Sequence, residues 1–165
     1  MAKSKANRTK RLKFFFFVYC AFMIWLLFFR SSGWIDGLNY EQQLRQNINL
    51  QPFLTIDNYW KVICKRTNDA ALMHSVINLC GNIFLFIPIG VFLPRIYHKL
   101  QNFFRFFCVC FGVMFLVEVL QLFTLLGSFD VDDIILNTTG VFLGYVFYLL
   151  ASKSYLYVER KSMRL

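Results

Sequence analysis

Residues 14–29 read FFFFVYCAFMIWLLFF, a stretch without a charged side chain that Lys13 and Arg30 frame. At a rise of ~1.5 Å per residue it reaches about 24 Å as a helix, short of the ~30 Å hydrocarbon core of a bilayer. The two flanking cations can snorkel to the headgroups and close that gap. A basic segment in front and Ser31-Ser32-Gly33 behind give the outline of a signal peptide. Phe, Trp and Leu dominate the stretch, however, Arg30 ends it, and no Ala-x-Ala site follows. It reads as an uncleaved anchor.

The rest of the chain agrees. Of 165 residues, 58% are hydrophobic and 21 are Phe, more than a soluble domain of this size can hide, since it buries only roughly 68–70% of its unfolded surface. Soluble globular, disordered and collagen-like classes are excluded, and the length allows one domain. The five cysteines are odd in number and show no CxxC or Cys/His spacing, so neither a disulfide framework nor a zinc site is expected. Four apolar stretches at about 14–30, 73–94, 106–126 and 132–151 predict an all-α fold, a four-helix transmembrane bundle occupying residues 14–150.

Charge sets the expected orientation. The net charge of +9 could mean nucleic acid, but the cations gather in tails 1–13 and 151–165 and between the second and third stretches. Segment 31–72 mixes both signs. Lys and Arg concentrate on the cytoplasmic side of membrane spans, so both termini are expected inside, the long segment outside, and no nucleic-acid partner. That segment is too long to lack structure of its own. Its second half, with Leu54, Ile56, Tyr59, Trp60, Val62 and Ile63, is amphipathic. It predicts either a short interfacial helix or a loop packed over the bundle mouth.

Polar residues inside the spans mark the candidate site. Asn78 and Asn82 are i,i+4, Glu118 and Gln121 are i,i+3, and Asp133 and Asn137 are i,i+4, so each pair shares a helix face. At ~1.5 Å per residue all fall in the outer half of the bilayer. A carboxylate there costs at least ~2.5–3.5 kcal/mol, so Glu118 needs a partner or a proton. Asn and Gln can also glue helices, and Gly140-x-x-x-Gly144 permits close approach. Acidic residues at the mouth, Asp130 and Asp133 among them, exceed what glue requires. His74 reads as an interfacial residue and His98 as a solvated one. Pro88 and Gly90 are expected to kink the second span.

Four blocks in this order resemble motifs of the VanZ-like family: NLQPFLTI at 49–56, NLCGNIFLFIPIG at 78–90, EVLQ at 118–121, and DVDD at 130–133 followed by NTTGVFLG at 137–144. The likeness covers roughly residues 14–150. It implies a multi-pass protein of the Gram-positive plasma membrane and cell envelope, linked to antibiotic resistance of the teicoplanin type. Relatives often carry an Arg in the outer turn before the Asp, where this chain reads GSFD at 127–130.

Two functions compete. In the first, the protein is non-enzymatic and acts through an outward-facing polar pocket of Asn78, Asn82, Glu118, Gln121, Asp130, Asp133 and Asn137. Residues 49–56, with Asn49, Pro52 and Phe53, form a partial lid. Its partner would be a membrane lipid, a lipid-linked cell-wall precursor or a lipoglycopeptide, with no cofactor and no metal. In the alternative it is a membrane enzyme on a lipid-linked envelope substrate. Glu118 would then be the acid/base, and the acidic cluster at 130–133 would hold Mg²⁺ or Ca²⁺.

Overall fold

The computed structural model describes residues 2–29, 33–66 and 68–162; the flanking role expected of Arg30 lies outside them. Among these residues seven α-helices carry the fold: α1 Ala2–Phe29, α2 Tyr40–Gln46, α3 Leu54–Lys65, α4 Asp69–Phe84, α5 Ile87–Ile96, α6 Phe103–Thr124 and α7 Val131–Ser162. Thr9–Phe29, Asp69–Ile96, Phe103–Thr124 and Val131–Lys153 are long and apolar enough to cross a membrane. The four-span, all-α expectation holds. Helix continues into both basic tails, and the second span starts earlier than its apolar run because Asn68 caps α4 by accepting from the Ala71 amide.

The second span is two helices, not one kinked helix. α4 stops at Phe84 and α5 restarts at Ile87 with Pro88 in its first turn, where a proline's missing N–H costs least. Gly90 has another task. It faces α7, where an added Cβ would overlap the Val141 carbonyl. From the other side, a Cβ on Gly140 would overlap the Ile83 carbonyl, and one on Gly144 the Ile87 carbonyl. Three glycines thus let α4 and α5 lie backbone to backbone on α7, the close approach that small residues provide between membrane helices.

Below this crossing the core is aromatic. The Phe106 and Tyr145 rings stack at 4.6 Å, and the Tyr145 hydroxyl donates to the Gln101 carbonyl at 2.6 Å. α1 is attached more lightly: the Tyr19 hydroxyl donates to the Leu85 carbonyl, and Gln121 Nε2 donates to the Leu27 carbonyl at 2.8 Å. Lys13 Nζ lies 5.9 Å from the Tyr97 ring, so the basic end of α1 and the turn between α5 and α6 share one end of the bundle. Segment 33–66 lies at the other end, against the turn that leads from α6 to α7. Gly33 N donates to Leu125 O and Phe129 N to Asn47 O. Strands β1 Ile48–Asn49 and β2 Phe129–Asp130 pair in parallel, Asn49 opposite Asp130.

The crossing predicts an asymmetric response to alanine. Gly144→Ala forces a Cβ into backbone that cannot yield and is expected to cost about 1–3 kcal/mol or more by overpacking. Gly112→Ala has open space around its Cβ and is expected to leave stability unchanged. Thermal unfolding of both proteins in the same detergent checks the pair.

Candidate functional site

Helix α3 has no N-cap of its own. Gln51, Pro52 and Phe53 precede it, and Phe53 sits in the left-handed region at φ 66° without a side-chain cap bond. The first amides of a helix need partners, and here they come from the far side of the sequence. Asp132 Oδ1 accepts from the Phe53 amide at 2.5 Å, and Oδ2 accepts from Thr55 at 2.8 Å and Ile56 at 3.1 Å. The Leu54 amide reaches Gln51 O at 3.4 Å. The turn at Pro52 and left-handed Phe53 makes these amides converge, a backbone nest for an anion. Asp132 is fully buried and sits in the first turn of α7, so one carboxylate faces the positive ends of two helices.

Asp130 completes the clamp. Its Oδ2 accepts from the Thr55 hydroxyl at 2.6 Å, and its Oδ1 accepts from Asn49 Nδ2 at 3.2 Å and from the Asp132 amide at 2.8 Å. Asn49 Nδ2 also donates to Thr55 Oγ1 at 3.0 Å. Glu118, only 2% exposed, accepts from the Asp130 amide at 3.2 Å. A chain of polar contacts therefore runs from α6 through the turn at 127–130 to the start of α3.

Beside this clamp lies a cavity of about 540 Å³, within the range of ligand sites. α1 supplies an apolar wall of Met23, Leu26 and Leu27. The opposite walls carry Thr55 and Tyr59 of α3, His74, Asn78 and Asn82 of α4, Gln121 of α6, and Ser128, Asp130 and Asp133. Asn82 Nδ2 donates to Asp133 Oδ1 at 2.5 Å. Asn78 Nδ2 donates to its own helix at His74 O, 2.7 Å away. The His74 ring meets Tyr59 edge-on at 5.8 Å.

Of the residues expected to meet, Asn78, Asn82, Gln121, Asp130 and Asp133 line the cavity. Glu118 and Asn137 do not. Glu118 lies behind Asp130, and Asn137 is buried with its Oδ1 unpartnered. Asn49 and Phe53 bind the clamp, and Pro52 is exposed in the turn. A cation cradle at 130–133 does not fit this geometry. The oxygens of Asp130 and Asp132 hold the protein's own donors, and among the described residues no three His, Cys, Asp or Glu side chains could share a metal ion.

Sequence reasoning overlooked Asp132 as a partner of α3, overlooked Tyr59 and His74 as cavity residues, and placed Thr55 only within the lid segment 49–56. The available signal was the missing N-cap: an amphipathic helix opening on Pro-Phe needs a carboxylate from elsewhere, and Asp132 stands in a helix first turn.

A bundle of four helices of membrane-spanning length, with its long connecting segment clamped beside a polar cavity, is the class that fold and site define. The chain belongs to the VanZ/LLP1 family, whose model matches residues 16–152. It is 28% identical over 137 residues to Protein VanZ of Enterococcus faecium, a match covering 82% of this chain and 72% of that protein. No solved structure matches it.

The clamp makes Asp132→Asn costly and Glu118→Gln mild. Asparagine turns an NH₂ toward amides that need an acceptor, removing at least one charge-assisted bond of about 1.5–3 kcal/mol and leaving a buried donor unpaired. Glutamine at 118 keeps an acceptor for the Asp130 amide. Thermal unfolding should therefore show a drop of several degrees for Asp132→Asn and a small change for Glu118→Gln.

Proposed function

We propose that this protein acts at the outer leaflet of a Gram-positive plasma membrane and contributes, without catalysis, to resistance against teicoplanin-type lipoglycopeptides by engaging an amphiphile in its polar cavity. One observation carries the reading: the cavity lining joins apolar side chains, Met23, Leu26 and Leu27 of α1 with Ile77, Leu85 and Phe86, to polar ones on α3, α4, α6 and α7, the lining an amphiphile requires. Kinship with Protein VanZ of Enterococcus faecium supports the resistance role, and the cluster of basic residues at the end of the bundle away from α3 supports an outward-facing cavity.

An acid/base role for Glu118 fits less well. A proton-transfer group must come within hydrogen-bond reach of the reacting atoms, whereas Glu118 is buried behind Asp130 and outside the cavity lining.

Drug susceptibility tests the function. Expression in a susceptible Gram-positive host should raise the inhibitory concentration of teicoplanin several-fold and that of vancomycin less, because teicoplanin carries a membrane-anchored acyl tail that a site in the outer leaflet can reach. Equal shifts, or none, would refute the proposal.

Orientation has its own test. Cys64 is exposed near the end of α3. A membrane-impermeant maleimide should label it in intact cells, and Cys64→Ser should abolish that labelling. Labelling that appears only after permeabilisation would reverse the orientation.

A further inference from the structure

Hydrogen-bond polarity among the amide side chains of the cavity is one-sided. The amide nitrogens of its three amide side chains are all engaged by protein acceptors: Asn78 by His74 O, Asn82 by Asp133 Oδ1 and Gln121 by Leu27 O. Their carbonyl oxygens accept nothing from the described residues, and neither does Asp133 Oδ2. No Lys or Arg among the described residues lines the cavity. Beside the hydroxyls of Tyr59 and Ser128 and the His74 ring, the lining offers a ligand amide acceptor oxygens and a carboxylate.

We propose that the cavity selects an amphiphile whose headgroup carries a protonated primary amine. The ammonium lies among Asp133, Asn78 and Gln121, and the apolar part runs along Leu26 and Leu27 of α1. An ammonium has three donors and no acceptor, which complements this lining. An anionic phosphate or carboxylate in the same place would meet Asp133 without a counter-charge, and like charges in a poorly solvated site repel strongly. The inference rests on the cavity being the ligand site and specifies which ligands it admits. An amine-bearing lipid headgroup and an amino group of a lipoglycopeptide share this chemistry.

The test is native mass spectrometry of the full chain in a neutral maltoside detergent. It is titrated separately with lysyl-phosphatidylglycerol, with phosphatidylglycerol of the same acyl chains, and with teicoplanin. The expected result is binding of the aminoacylated lipid at least about tenfold tighter than phosphatidylglycerol, the contribution of one charge-assisted hydrogen bond. Asp133→Asn and Ser128→Lys should each remove that preference. Ser128 is exposed at the cavity wall, so its substitution keeps the test open if the Asp133 variant does not fold. Teicoplanin binding that these substitutions weaken, without binding of the amine lipid, supports the same site with the drug as the source of the amine. Equal or tighter binding of phosphatidylglycerol, or a preference that survives both substitutions in folded protein, overturns the inference and leaves the resistance reading standing. Binding of none of the three overturns both.

Discussion

A single carboxylate, Asp132, accepts hydrogen bonds from three amides at the start of a helix, those of Phe53, Thr55 and Ile56, nearly eighty residues earlier in the chain. A buried carboxylate is tolerable only when donors replace its water, and buried helix-terminal amides are tolerable only when acceptors do. Each side of this contact therefore depends on the other. The rest of this end of the bundle is arranged around it: the β1–β2 pair sets the register, Asp130 ties Asn49 and Thr55, and Glu118 holds the Asp130 amide from the α6 side. Loosening the Asp132 contact would release α3, and with it the Thr55 and Tyr59 wall of the cavity.

The cavity owes its shape to two kinds of helix contact. α4, α5 and α7 meet through glycines at backbone distance, which leaves no room between them and fixes Asn82 against Asp133. α1 instead meets the bundle through side chains that reach backbone carbonyls, Tyr19 to Leu85 and Gln121 to Leu27. Few of its residues are buried. An open volume remains between α1 and the tightly packed group, apolar throughout on the α1 side and mixed on the other, where Ile77, Leu85 and Phe86 stand among the polar side chains. That asymmetry underlies the amphiphile reading.

Much of the fold was legible because the bilayer imposes simple lengths. The charge-free run at 14–29 and three later apolar stretches marked the spans, and the i,i+4 spacings of Asn78 with Asn82 and of Asp133 with Asn137 marked polar faces. Asn78, Asn82, Gln121, Asp130 and Asp133 do share one cavity. Pairings distant in sequence were not legible. Asp130 and Asp132 looked like acidic residues available for a ligand or a metal, because nothing local shows that Thr55 and the α3 amides saturate them. Strands of two residues have no periodicity to detect. Leu26 and Leu27 look lipid-facing in any apolar run, and His74 looks interfacial until Tyr59 is packed beside it.

Amide hydrogen exchange on the unmodified protein in detergent tests the clamp most directly. Phe53 is a largely exposed residue at the start of a short surface helix, a place where amides ordinarily exchange fast. Because Asp132 holds them, the amides of Phe53, Thr55 and Ile56 should exchange as slowly as those in the middle of α7. Exchange at the rate of an unprotected loop, with α7 protected in the same sample, would contradict the account.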